Sequence, residues 1–155
     1  ASGDDMLLVQ KIAAQYPKDI YFLKNSNATV FTKAKPDWRS FLQQRIRWAT
    51  KSSAYREWRI TLVLAMVFLF CCNILLSLLL IPFFGGAMAL VFLLQFIMKS
   101  FFDYQLLDTA CRFFKRADLM RSFLPAQILH IFYIIIIGFA ANFIKKYEWK
   151  GRRVR

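Results

Sequence analysis

The sequence predicts a mainly α-helical membrane protein, and three observations support that fold class. Of the 155 residues, 58% are hydrophobic and 17 are phenylalanine, and the mean hydropathy is +0.39, which is too apolar for a typical soluble domain of this size. Residues 60–98 contain no Asp, Glu, Lys or Arg, and neither do residues 122–144. Because about 20 apolar residues cross a bilayer, these stretches can form about three membrane helices.

The net charge of +13 is concentrated in segments that flank the apolar stretches. Residues 33–59 hold eight basic and two acidic residues, residues 99–121 hold five and three, and residues 145–155 hold six and one. This is the distribution of basic residues held on the cytoplasmic side, near anionic headgroups. The distribution excludes nucleic acid as a partner, because no basic module of a known nucleic-acid-binding type accompanies it.

The segment before the first apolar stretch begins with a predicted amphipathic helix at residues 6–16. Its apolar residues recur at helical spacing, and Pro17 ends the helix. The runs IYFLKN (20–25) and ATVFTKA (28–34) lie on either side of a polar turn and are rich in β-forming residues. They predict two β-rich runs.

Pro36 begins a second predicted helix, which continues to about Tyr55. At 100° per residue, an arc of about 80° carries an apolar stripe suited to the membrane interface. The stripe consists of Trp38, Leu42, Ile46 and Ala49. Gln44, Arg47 and Trp48 share a different face because they are spaced i, i+3, i+4. An interfacial helix would turn that face toward a soluble domain on the membrane.

The remaining chain is predicted to form the membrane domain. Its apolar segments are residues 60–81, 85–102 and 124–144, with an interfacial segment at 103–123 and a basic tail at 145–155. If all three segments cross, the tail lies opposite the first basic cluster, against the positive-inside rule. We therefore expect a cytoplasmic tail, with one segment interfacial or re-entrant, and the short segment 85–102 is the first candidate.

Isolated polar residues occur within the apolar segments. Asn73, Gln95 and Gln127 are predicted to form hydrogen bonds between helices. His130 has no partner visible in the sequence, which favours a neutral, packed side chain. The three cysteines lack metal-ligand spacing and are predicted to be packing residues.

Two short motifs carry a resemblance to a known family. The sequence SGDD at 2–5 is followed some forty residues later by QRIRW at 44–48, just before the membrane segments. In this order, they resemble the C-terminal part of a membrane-embedded family-2 glycosyltransferase. That group includes the cellulose, chitin, hyaluronan and poly-N-acetylglucosamine synthases. The likeness covers residues 1–59 by motif and the rest only in general architecture.

The resemblance implies a domain organisation. Residues 1–35 would be the C-terminal part of an α/β catalytic domain of the GT-A type, and residues 36–59 an amphipathic interfacial helix. Residues 60–155 would form the membrane domain. We expect the chain to be the C-terminal part of a longer enzyme, because the family's donor-binding and metal-binding aspartate motifs do not occur in it.

The resemblance also implies roles for five residues. Asp5 would be the base that takes the acceptor proton, with Asp4 as a supporting carboxylate. Arg47 and Gln44 would bind the diphosphate, because a guanidinium fork stabilises the charge that develops on phosphate oxygens. Trp48 would orient the acceptor sugar through the apolar face of its indole.

The implied function is inverting sugar transfer at the cytoplasmic face of the cell membrane by a multi-pass protein. The donor would be a nucleotide-diphospho-sugar, expected to be a UDP-sugar, and the acceptor a growing cell-surface polysaccharide or glycan. A lipid carrier or glycolipid is the alternative acceptor. The cofactor would be Mg²⁺ or Mn²⁺ with ligands upstream, so the chain alone is expected to bind no metal and to be inactive.

A structural interpretation of each motif residue stays open beside the catalytic one. Asp4 or Asp5 can serve as a helix N-cap. Arg47 can be a solvated interfacial charge, and Trp48 can anchor the helix at the level of the lipid headgroups. At the level of the whole chain, the corresponding alternative is a non-catalytic membrane scaffold or a transporter fragment.

Overall fold

The computed structural model describes residues 4–49, 58–143, 147–149 and 152–154, and its side-chain detail covers residues 8–49 and 58–141. The described chain is mainly helical, as the sequence predicts. Its helices and strands are α1 (Asp4–Gln15), α2 (Trp38–Ala49), α3 (Trp58–Phe84), α4 (Gly86–Phe113), α5 (Phe123–Phe143), β1 (Tyr147–Trp149) and β2 (Arg152–Val154).

Three stretches of helix are long and apolar enough to cross a membrane, which confirms the predicted membrane class. They are Trp58–Phe84, Gly86–Phe113 and Ala117–Ala141. The chain divides into two units, one formed by Ala1–Leu64 with Ile137–Arg155 and the other by Ala65–Ile136.

The two predicted β-rich runs are wrong. Residues 20–25 and 29–35 have no regular structure, and a single turn of 3₁₀ helix at Ser26–Ala28 separates them. Tyr21 and Phe22 are 86% and 89% exposed. β-forming side chains favour a strand only where a neighbouring strand accepts the backbone hydrogen bonds and covers one face. Between residues 4 and 49 the structure has no strand that could do so.

Helix α2 begins two residues after Pro36 because Asp37 caps it. The backbone N–H of Ser40 donates to Oδ1 of Asp37 at 2.8 Å, and the N–H of Phe41 donates to the Asp37 carbonyl at 3.1 Å. These bonds satisfy N–H groups that a helix start leaves without partners. The predicted continuation to Tyr55 lies outside the described residues.

Helices α3 and α4 form an antiparallel hairpin with one residue between them. Gly85 has φ +59°, a conformation that side chains with a Cβ rarely adopt. Its N–H donates to the Ile81 carbonyl at 2.8 Å. Across the hairpin, Nε2 of Gln95 donates to Oδ1 of Asn73 at 2.7 Å, which confirms the predicted hydrogen bonding between these helices.

The extent of α4 corrects the predicted boundary at residue 102. The helix has 28 residues and continues through Phe113, so residues 103–113 extend it and do not form a separate helix. Its length removes the reason for suspecting segment 85–102 of being too short to cross. After α4, Lys115 adopts φ +56°, and Ala117–Ser122 forms a 3₁₀ helix that leads into α5.

The unit Ala65–Ile136 contains a small apolar core. Cys71, Ile74 and Ile131 are buried at its centre. The partly buried side chains around them are Phe70, Phe92, Phe96, Ile134 and Ile135. Cys71 is therefore a packing residue, as predicted.

The basic tail contains a two-stranded antiparallel sheet. Strands β1 and β2 pair with Tyr147 opposite Val154 and Trp149 opposite Arg152. The sequence analysis predicts only a basic tail here, so this hairpin is a further difference between prediction and structure.

Candidate functional site

The second half of α2 carries the three motif residues predicted to bind substrate. Gln44, Arg47 and Trp48 occupy successive turns of one helix. Gln44 and Arg47 are half-buried, whereas Trp48 is 48% exposed. The helix therefore holds a guanidinium, a carboxamide and an accessible indole together, and these groups can bind an anion beside a sugar ring.

Arg45 packs against the aromatic rings of the same helix. Its guanidinium carbon lies 4.6 Å from the centre of the Trp48 ring and 5.1 Å from that of Phe41. Both are cation–π distances. This contact is a further finding of the structure. It restricts the Trp48 indole.

Asp37 lies at the opposite end of α2 and fixes where the helix begins. Its Oδ2 accepts a hydrogen bond from the Ser40 hydroxyl at 2.9 Å, in addition to the backbone bond. The backbone hydrogen bond from Ser40, followed by the side-chain bond, lowers the pKa of Asp37 below its usual value of 3.8. The cap is therefore strongest when this carboxylate is charged.

Asp4 and Asp5 lie in the first turn of α1. Carboxylates at this position interact favourably with the N-terminal end of the helix dipole, so the structural interpretation of these residues stays open. Their side chains lie outside the described residues. That Asp5 faces Arg47 and Trp48 across a sugar-sized gap therefore stays a prediction.

A second polar cluster, between α4 and α5, is not predicted as a site by the sequence analysis. The ammonium group of Lys99 donates to Oδ2 of Asp103 and lies 3.3 Å from Nδ1 of His130. Nε2 of Gln127 donates to the same Asp103 oxygen at 2.8 Å. The predicted hydrogen bonding of Gln127 between helices is thus confirmed. His130 contacts Lys99, a partner that the sequence does not reveal.

Two members of the cluster are buried in the apolar unit, and Asp103 and His130 are half-buried. Lys99 is 7% exposed and Gln127 is 2% exposed. A lysine withdrawn from water requires a counter-charge, and Asp103 supplies it one helical turn away. The i, i+4 spacing of these two residues was the available signal. The signal is ambiguous, because Lys99 directly follows an uncharged stretch and also fits the basic residues that flank a membrane segment.

A third set of polar side chains links α3 and α4 within the same unit. Ser77 is buried, and its hydroxyl donates to the Ile74 carbonyl at 2.9 Å and approaches Oε1 of Gln95 at 3.4 Å. Gln95 in turn donates to Asn73. The set forms a hydrogen-bonded row that leads from the packed interior to Asn73 on the outer face of α3.

Neither a metal site among the described residues nor a known relative identifies the function of the chain. Among the described residues, no group of three or more His, Cys, Asp or Glu side chains could hold a metal ion. No protein-family model matches the chain, and no curated protein or solved structure matches it significantly. The resemblance to family-2 glycosyltransferases therefore rests on the two motifs and their order alone.

Proposed function

We propose that this chain is the C-terminal part of an inverting, membrane-embedded glycosyltransferase of family 2. The enzyme would transfer a sugar from a nucleotide-diphospho-sugar, whose charge excludes it from the bilayer, to a growing cell-surface polysaccharide or glycan.

The observation that carries this proposal is the arrangement on α2. A capped amphipathic helix presents Gln44, Arg47 and Trp48 over two turns and precedes a helix long enough to cross a membrane. An interfacial helix of this kind lies at the boundary between a water-soluble donor and an acceptor destined for the membrane. That position suits a reaction between the two.

In the proposed reaction, the Asp5 carboxylate accepts the proton of the acceptor hydroxyl as its oxygen attacks the anomeric carbon. The new glycosidic bond forms while the bond from that carbon to the diphosphate oxygen breaks. The nucleoside diphosphate leaves with the electron pair, and Arg47 and Gln44 stabilise its increased negative charge. Trp48 holds the acceptor ring in line for attack.

By the resemblance, Mg²⁺ or Mn²⁺ would be held by residues elsewhere in the complete enzyme. The proposed contribution of this chain is therefore the base, the diphosphate contacts and the acceptor platform.

The test is sugar transfer in membranes that contain the complete enzyme, with radiolabelled nucleotide sugar. Asp5→Asn and Arg47→Ala should each lower transfer at least about 100-fold, because each removes a group needed in the transition state. Asp19→Asn and Arg39→Ala are matched controls on exposed positions and should retain transfer. Undiminished transfer in the first pair, at equal expression, would contradict the proposal.

The labelled product of the same assay identifies the acceptor. Label that elutes with high-molecular-weight material indicates a polysaccharide or glycan, and label that partitions into organic solvent indicates a lipid carrier or glycolipid. The proposal favours the first product, and the second identifies the alternative acceptor.

A non-catalytic transporter is the second candidate, and the buried Lys99–Asp103–His130 contacts favour it. Ionisable groups inside a membrane segment often mark a path for ions or solutes. In this case Lys99→Met combined with Asp103→Leu, which leaves no unpaired charge, would abolish flux of a solute in proteoliposomes, while Asp5→Asn and Arg47→Ala would leave that flux intact.

A further inference from the structure

Helix α3 presents a continuous seam of accessible side chains. Successive members are three and four residues apart, which is the spacing of the contact positions in a left-handed helix pair. The seam consists of Met66, Leu69, Asn73, Leu76, Leu80 and Phe83, of which Leu80 is half-buried and the others are exposed. Met66, Leu69 and Leu76 are 59%, 63% and 52% exposed. Asn73 is its one polar member.

Asn73 lies at a depth where water is absent if α3 crosses the membrane. The helix has 27 residues, and Asn73 is eleven residues before its end at Phe84. At about 1.5 Å per residue, this places it roughly 17 Å from that end. The hydrocarbon core is about 30 Å thick, so Asn73 lies near its middle.

The Asn73 carboxamide is only partly satisfied within the chain. Its Oδ1 accepts from Gln95 at 2.7 Å, and no partner for its Nδ2 occurs among the residues that the structure describes. The bond from Gln95 holds the oxygen on the α4 side. Two N–H donors are thus left at the seam, where an unpaired polar group in hydrocarbon is costly.

We propose that this seam packs against the same seam of a second copy of the chain. A carboxamide both donates and accepts hydrogen bonds, so Asn73 is complementary to itself. Two copies inserted in the same direction and related by a twofold axis along the membrane normal bring their Asn73 residues to the same depth. Each Nδ2 then donates to a carboxamide oxygen of the other copy.

The apolar residues of the seam also fit a second copy of the chain. Leu69 and Leu76 flank Asn73 at the facing positions, so apolar side chains of the two copies interdigitate on either side of the polar pair. A single asparagine at such a position fixes the register of a helix pair, because any shift along the axis leaves its donors unpaired.

The test is self-association of the protein in liposomes. Donor- and acceptor-labelled copies should show energy transfer that falls when unlabelled protein is added. Asn73→Leu should weaken the association about tenfold, in line with hydrogen bonds between membrane helices, whereas Asn73→Gln should largely preserve it. No energy transfer between wild-type copies, or equal association of Asn73→Leu and wild type, would overturn the proposal.

Cysteine cross-linking locates the contact. In a Cys72→Ala, Cys111→Ala background, Leu69→Cys should form a disulfide-linked dimer under mild oxidation. Leu78→Cys is the matched control, since it is accessible at 39% but lies on the opposite side of α3. Equal dimer formation at both positions, or cross-linking of Leu69→Cys to a different protein, would show that another occupant covers the seam.

Discussion

The ammonium group of Lys99 donates a hydrogen bond to Nδ1 of His130 across 3.3 Å and so joins α4 to α5. An ammonium group cannot accept a hydrogen bond, so the imidazole nitrogen must be the acceptor. The same ammonium group pairs with Asp103, which also accepts from Gln127. One buried lysine therefore organises three side chains on two helices.

Removing the buried lysine of the Lys99–Asp103 ion pair should destabilise the protein. Lys99→Met leaves the Asp103 carboxylate without its counter-charge, and because that side chain is 30% accessible and keeps its bond from Gln127, the expected loss is about 1–3 kcal/mol in the free energy of unfolding. The measurement is denaturant unfolding in detergent micelles. Lys99→Met combined with Asp103→Leu should recover most of the loss, because no unpaired charge remains.

The matched control for this prediction is the exposed pair of Arg116 and Asp118, whose side chains are 55% and 58% accessible. Arg116→Ala should change the unfolding midpoint little, since solvent screens such pairs. An effect of Arg116→Ala as large as that of Lys99→Met would contradict the assigned importance of burial.

The tautomer of His130 follows from its contact with Lys99. At neutral pH the ring proton should reside on Nε2, because Nδ1 accepts from the ammonium group. His130 is the one histidine of the chain, so nitrogen NMR of ¹⁵N-histidine-labelled protein reports this ring alone. Lys99→Met should remove the preference. A proton on Nδ1 in the wild-type protein would show that the contact does not form.

The cap of α2 should be sensitive to acid. Hydrogen bonds from Ser40 lower the pKa of Asp37, so the stabilisation is fully present above the ordinary value of 3.8 and is lost as the pH falls through the lowered value. Circular dichroism of a peptide covering residues 33–49 in anionic micelles should show helix loss in that range. Asp37→Ser keeps a capping oxygen without a charge and should abolish this pH dependence.

The link between α3 and α4 should require glycine at one position and not at the next. Gly85→Ala should cost about 1–3 kcal/mol, because φ +59° with ψ −138° is unfavourable for a residue with a Cβ, even though an added Cβ would meet no atom within 4 Å beyond the neighbouring residues. Gly86→Ala meets the same open space in ordinary helical conformation and should be neutral or slightly stabilising. Thermal unfolding of the two variants side by side tests the difference.

The membrane helices could be predicted because their signal is local. A continuous apolar run of sufficient length identifies a crossing helix whatever its neighbours are, and the predicted segments 60–81 and 124–144 fall within three residues of α3 and α5. The end of α4 is not predicted because Asp103, Asp108 and Arg112 interrupt the apolar pattern, and because Lys115 takes the left-handed conformation that glycine usually marks.

The parts that depend on partners could not be predicted. Residues 20–25 have strand-forming side chains but no strand beside them, so propensity alone gave the wrong assignment. The contact of Lys99 with His130 joins residues 31 positions apart, and a single sequence does not reveal such pairs. For the candidate site, spacing placed Gln44, Arg47 and Trp48 on one helix, whereas the distance from Asp5 to them stays a prediction.

The bend at Gly85 also limits the access of proteases and antibodies to the connection between α3 and α4. Two long helices meet there through a single residue, so the hairpin offers almost no loop for a protease to cut or an antibody to recognise. An epitope inserted at this point would separate the ends of the two helices. Tags for locating the protein should therefore be placed elsewhere in the chain.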